Sequence, residues 1–97
     1  MELTPQARRD LRRIWCWLRD EAGVERADAL IASLQAVAHH LADYPQLGRT
    51  KNDFGPGVRV LSRRPYLLFY REKDERIEVL RIIDGRRDVP AAWRESE

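Results

Sequence analysis

At 97 residues the chain is the size of one domain with a modest core, and its balance of 35% charged to 43% hydrophobic residues excludes an extended disordered chain. The net charge of +2 is too small to argue for nucleic acid by itself, and the single cysteine excludes an internal disulfide and fits a reducing cytoplasm. No apolar run approaches the roughly 18–20 residues of a membrane span, and no cleavable leader is expected before the first helix.

Met1-Glu2-Leu3 reads as the stub of an edge strand within residues 1–4. Thr4-Pro5 is a helix start, with threonine as N-cap and proline at the first helical position. Ala7, Leu11, Ile14, Trp15, Leu18 and Ala22 then keep helical spacing, which predicts a helix over about 5–21. Arg8, Arg9, Arg12, Arg13 and Arg19 with Asp10 and Asp20 fill its other, solvated face. Gly23 suits the close of the helix.

A second stripe of Ala27, Leu30, Ile31, Leu34, Val37, Ala38 and Leu41 predicts a helix over about 25–43, antiparallel to the first. Cys16 is a packed, inert thiol on this reading. His39 and Asp43 have one-turn spacing, but two ligands without a third do not make a metal site.

Tyr44-Pro45 breaks the second helix, and an irregular segment runs through Gly55-Pro56-Gly57. Strands are expected at about 58–62, 66–72 and 76–83, with Arg63-Arg64-Pro65 at one corner and the charged run Glu72–Arg76 as a hairpin connection. In the last strand Ile77, Val79, Arg81 and Ile83 would share one face and Glu78, Leu80 and Ile82 the other. Apolar residues on both faces mark an inner strand covered on each side over part of its length. Arg81 on that apolar face suggests a structural ion pair, with Asp84 or Asp88 as the candidate acid. The tail over 89–97 is short and expected to be partly disordered, with Pro90 as a helix starter and Trp93 as an anchor.

The whole is an α+β domain over 1–97, with a helical hairpin packed on one face of a small antiparallel sheet. Its expected core is Leu11, Ile14, Trp15, Leu18, Leu30, Ile31, Leu34, Leu41, Phe69, Val79 and Ile82. Arginine outnumbers lysine 16 to 2 and suits bidentate contacts to carboxylates and phosphates. Between positions 49 and 64, Arg49, Lys51, Arg59, Arg63 and Arg64 stand against Asp53 alone, a local charge of +4.

Several stretches resemble one family of proteins. Leu3-Thr4-Pro5-x-Ala7-x-x-Asp10-Leu11-x-x-Ile14-Trp15 is similar to the opening of ParE-type toxins of bacterial toxin–antitoxin operons. Pro45-x-Leu47-Gly48-Arg49, Gly57-Val58-Arg59, Tyr66-Leu67-Leu68-Phe69-Tyr70-Arg71 and Ile83-Asp84-Gly85-Arg86-Arg87-Asp88 continue the pattern in order to Asp88. The resemblance implies the RelE/ParE superfamily fold, plasmid-stabilisation function and neutralisation by an antitoxin encoded alongside.

RelE-type members cut mRNA in the ribosome with basic side chains on the sheet and an aromatic hydroxyl near the C-terminus. ParE-type members lack that set and block DNA gyrase. Arg59 and Arg87 match basic positions of the nuclease pattern. Leu67 stands where the nucleases have arginine, Leu61 falls near a second basic position, and Trp93 falls where the aromatic hydroxyl would be. Cleavage through a 2′-hydroxyl needs a base, phosphate-neutralising cations and a leaving-group acid, which leucine and tryptophan cannot supply.

The resemblance thus implies a cytoplasmic gyrase inhibitor without catalytic residues, cofactor or metal. Its partners would be a ParD-like antitoxin, in a hetero-oligomer, and DNA gyrase, with DNA met only through the antitoxin. A ribosome-dependent endoribonuclease and a non-toxic antitoxin-binding relative are the alternatives. Partner contacts are expected at Arg49, Arg59, Arg63, Arg64, Arg81, Arg87 and Trp93.

Overall fold

The structure is a computed structural model and describes residues 2–95. In chain order it contains β1 (Glu2–Leu3), α1 (Pro5–Ala22), α2 (Val24–Asp43), β2 (Arg49–Thr50), a 3-10 turn (Asn52–Phe54), β3 (Arg59–Arg63), β4 (Tyr66–Lys73), β5 (Arg76–Asp84) and α3 (Val89–Arg94). Of the expected edge strand, Met1 lies outside the described residues, as do positions 96 and 97 of the tail.

Thr4 starts the hairpin. Its Oγ1 accepts from the Ala7 N–H at 3.1 Å and donates to the Leu80 carbonyl at 2.7 Å, so one hydroxyl caps α1 and moors it to β5. Gly23 is the whole connection between α1 and α2, at φ 95°, where a side chain would be strained.

The sheet runs β1-β5-β4-β3-β2. Its three long strands are antiparallel as expected, but β1 pairs parallel to β5, so the sheet is mixed. The short strands β1 and β2 carry no alternation that a sequence pattern could register. The hairpin connection is also tighter than the charged run implied. Only Asp74 and Glu75 lie between β4 and β5, both at positive φ, as a two-residue primed turn requires.

The residues of β5 face differently from the expected alternation. Phe69 pairs with Arg81 but Tyr70 pairs with Val79, which leaves Leu80 as an extra residue. This bulge breaks the expected alternation. Ile77, Val79 and Ile82 pack toward the helical hairpin, while Leu80 and Ile83 join the cluster on the opposite face.

The hairpin-side core gathers Leu34, Ala38, Leu41, Tyr66, Leu68, Tyr70, Ile77, Val79 and Ile82, with Leu11, Ile14 and Leu30 packed against it. Trp15, Leu18 and Ile31 are only half-buried and lie outside that cluster. Trp15 instead bridges the helices, its Nε1 donating to Asp28 Oδ1 at 2.8 Å. On the other sheet face Val58, Val60, Phe69, Ile83 and Ala92 are buried, flanked by Phe54, Leu67, Val89 and Trp93. Of the tail expected to be partly disordered, Val89–Arg94 form α3, capped by Asp88, whose side chain accepts from the Ala91 N–H.

Candidate partner-binding site

The seven residues expected to meet partners fall in different places. Arg81 is inside the molecule at 7% exposure. Its Nε and Nη2 donate to the two oxygens of Asp10 at 2.8 and 3.0 Å, and its Nη1 donates to the Ala92 and Trp93 carbonyls at 2.9 and 3.1 Å. The hydrogen bonds to Asp10 raise the pKa of the guanidinium further, so it stays charged. With its donors spent on Asp10, Ala92 and Trp93, Arg81 is a structural residue, and its acid is Asp10 rather than Asp84 or Asp88.

Trp93 is half-buried in an aromatic cluster, its ring centroid 5.2 Å from that of Phe69 and 5.0 Å from that of Phe54. Arg59 is half-buried and donates from Nη1 to the Gly48 carbonyl at 2.8 Å, pinning the loop between α2 and β2. Tyr70 holds the same loop from within the core. Its hydroxyl donates to the Pro45 carbonyl and accepts from the Gly48 N–H, both at 2.8 Å, and burial raises its pKa. Arg49 is exposed on the edge strand β2. Arg63 donates to the Ser33 hydroxyl at 3.0 Å, and Arg64 beside it is exposed at the β3–β4 corner.

Arg87 lies on the rim of a cleft of about 230 Å³ between α1 and the end of β5. Ile14, Trp17, Tyr66 and Ile82 supply its apolar lining, and Arg13, Arg86 and Arg87 its cations. Asp84 accepts from Arg86 through both the backbone N–H and the guanidinium, contacts that hold its carboxyl below the usual range. Burial, with the Asp84 charge adding to it, raises the Tyr66 hydroxyl. Arg87 reaches Glu95 at 2.9 Å and Arg13 approaches the same carboxylate at 3.8 Å.

Arg13 and Trp17 were not among the expected contact residues. Their signal was present as helical spacing: Arg13 and Trp17 lie one turn apart on one face of α1, at i and i+4. Trp17 is 53% exposed, one of four large apolar side chains so placed among the described residues, with Val24 at 51%, Tyr44 at 59% and Leu47 at 50%. Among the described residues, no group of three histidines, cysteines or acids is gathered as a metal site. No helix among them is long and apolar enough to cross a membrane.

A helical hairpin laid on a small sheet, with a basic-rimmed cleft at one end, has the RelE/ParE-like α+β fold. The family model described as "ParE toxin of type II toxin-antitoxin system, parDE" matches residues 1–89, and the chain belongs to that family. Toxin ParE3 of Caulobacter vibrioides is 37% identical over 82 residues, 84% of this chain and 82% of that protein. Toxin ParE1 of Mycobacterium tuberculosis is 36% identical over 88 residues, 90% of each chain. A solved structure titled "Chromosomal ParDE TA system from P. aeruginosa" superimposes with a TM-score of 0.59 at 28% identity, covering 87% of this chain and 95% of that one.

Proposed function

We propose that this chain is held inactive in the cytoplasm by a ParD-like antitoxin and, when released, inhibits DNA gyrase. The observation that carries the partner reading is the set of uncovered large apolar side chains. Trp17, Val24, Tyr44 and Leu47 are each at least half exposed on a domain that otherwise buries its apolar residues on both sheet faces. Exposed aromatics beside arginine are what protein interfaces are enriched in. An amphipathic antitoxin segment would cover the hairpin and the sheet edge, with acids opposite Arg59 and Arg87, and would carry the DNA-binding part of the complex.

The choice of gyrase over RNA rests on chemistry. Leu67 and Trp93 stand at positions where the similar nucleases bind phosphate or move protons, and both belong to the apolar cluster around Phe69. Neither side chain transfers a proton near neutral pH. Losing one well-placed catalytic group costs about a hundredfold or more, so losing several leaves almost no rate.

The test expresses the chain without its antitoxin and follows ribosome-bound mRNA and plasmid supercoiling together. Unsupercoiled or broken DNA with intact mRNA is the expected outcome. Codon-phased mRNA cuts with supercoiling untouched would overturn the gyrase reading, and no change in either would mark an inert relative.

A further inference from the structure

We infer that the turn Tyr44–Leu47, with the carboxylates of Asp43 and Glu72 beside it, is a second docking surface, one that meets the target rather than the antitoxin. Its occupant is a segment of gyrase that presents a large apolar side chain with a lysine or arginine next to it. This rests on the gyrase reading above and says where on the chain that contact is made.

The uncovered apolar side chains do not form one patch. Val24 opens α2 and Tyr44 directly follows its last residue, so the 20 residues of the helix, at about 1.5 Å each, hold the two about 30 Å apart. Tyr44 and Leu47, by contrast, are the two corners of one β-turn. The Leu47 N–H donates to the Tyr44 carbonyl at 3.1 Å, with Pro45 at the position that favours such a turn. Single exposed apolar residues are ordinary, whereas two at 59% and 50% exposure on one turn make a patch.

The charge at this end is also opposite to that of the cleft beside Trp17. That cleft carries Arg13, Arg86 and Arg87, and its acids Asp10 and Asp84 are already bonded to Arg81 and Arg86. The hollow beside Tyr44, of about 470 Å³, is lined by Asp43, Tyr44, Pro45, Gln46, Leu47 and Glu72, two carboxylates and no cation. Arg49 on β2 lies outside this lining. Neither Asp43 nor Glu72 forms an ion pair with another described residue. An acidic segment suited to the arginines of the cleft is repelled here, and a basic one is drawn in.

The turn is held firmly from within. The Tyr70 hydroxyl bonds the Pro45 carbonyl and the Gly48 N–H, and Arg59 Nη1 donates to the Gly48 carbonyl, all at 2.8 Å. Tyr44 leans on the His40 ring, their centroids 5.0 Å apart. A turn fixed in this way presents its side chains with little ordering left to lose on binding, which makes an exposed pair an effective anchor site.

The experiment compares the full chain with two double variants. Purified DNA gyrase is followed by supercoiling and direct binding, and the ParD-like antitoxin encoded beside the chain by calorimetry. Thermal melts confirm folding, which substitutions at exposed positions leave largely unchanged. Tyr44→Ser with Leu47→Ser should need about tenfold more protein or beyond for half-inhibition of supercoiling, while antitoxin affinity stays within about twofold. Asp43→Lys with Glu72→Lys should bind gyrase about three- to tenfold more weakly, with a larger loss at low salt than at high salt. The Asp43→Lys change places a cation at the C-terminal end of α2, which the helix dipole favours. Parent-like gyrase inhibition by the folded serine variant, or parent-like gyrase binding by the lysine variant, overturns the inference. So does antitoxin affinity about tenfold lower in the serine variant, which would assign the turn to the antitoxin. A parent chain that binds the antitoxin but leaves gyrase untouched overturns the gyrase reading and this inference with it.

Discussion

Asp10 of α1 and Arg81 of β5, 71 positions apart, form a bidentate ion pair whose side chains are 7% and 8% exposed. Asp10 Oδ2 also accepts from the Ile82 N–H at 2.9 Å, so the carboxylate completes the sheet edge where β1 has ended. Through the Ala92 and Trp93 carbonyls the same guanidinium holds the end of α3. One pair thereby ties the hairpin, the sheet and the tail.

Removing one partner should be far more costly than removing both. Asp10→Ala leaves a buried cation without its acid and should cost about 3–5 kcal/mol. In a domain of this size that is a melting-point loss of about 12 °C or more. Asp10→Ala combined with Arg81→Met should be more stable than Asp10→Ala alone in urea denaturation. A double variant less stable than the single one would show that the pair is not what sets the cost.

Tyr70 and Gly48 form a second junction, this time between core and loop. Tyr70→Phe strands the Pro45 carbonyl and the Gly48 N–H and should cost about 1–3 kcal/mol. Gly48→Ala should cost more. Its Cβ would sit 2.7 Å from both the Tyr70 hydroxyl and the Val60 carbonyl, and the latter is backbone that cannot swing aside. Stability of Gly48→Ala equal to that of the parent would rule out this close approach.

The pH dependence follows from the tyrosines. Burial raises Tyr66 and Tyr70 above their ordinary 10.0, so below that value both are neutral in the folded and unfolded chains and their contribution is complete. Above it the unfolded chain loses these protons while the folded one keeps them, and stability falls until the folded hydroxyls ionise. Urea titrations between about pH 9 and pH 11 should show that fall, shallower in Tyr70→Phe. An equally steep fall in the variant would place its cause elsewhere. At the acid end, Arg86 holds Asp84 low, so its contribution is complete above the ordinary carboxylate pKa and lost as pH drops through the folded value.

Trp93 should be a folding residue before it is a contact residue. It is half-buried against Phe54 and Phe69, so Trp93→Ala should cost about 2 kcal/mol, less than the 3–5 of a fully buried aromatic. Trp93→Phe should recover most of that. Loss of α3 protection in hydrogen exchange, confined to residues 89–94, would accompany the alanine change; no change in exchange there would refute the anchoring role.

Local chemistry determined the elements. Thr4-Pro5 and Gly23 bound the first helix, and the stripe from Ala27 to Leu41 defines the second, because a cap and a period of 3.6 act over a few neighbouring residues. The β-branched and aromatic runs around Tyr66–Arg71 and Ile77–Ile83 define the central hairpin in the same way. Tertiary structure decided the rest, since it depends on what meets across space. The bulge at Leu80 reassigned Ile82 to the hairpin-side core, a shift of register that the alternating residues themselves do not signal. Asp10 sits among four arginines on α1 and looks solvated, yet it faces inward because only there can it neutralise Arg81 and satisfy the open edge of β5. Arg13, Trp17 and Arg87 become one surface only when α1 and the loop after β5 are folded together, and no spacing along the chain encodes that meeting.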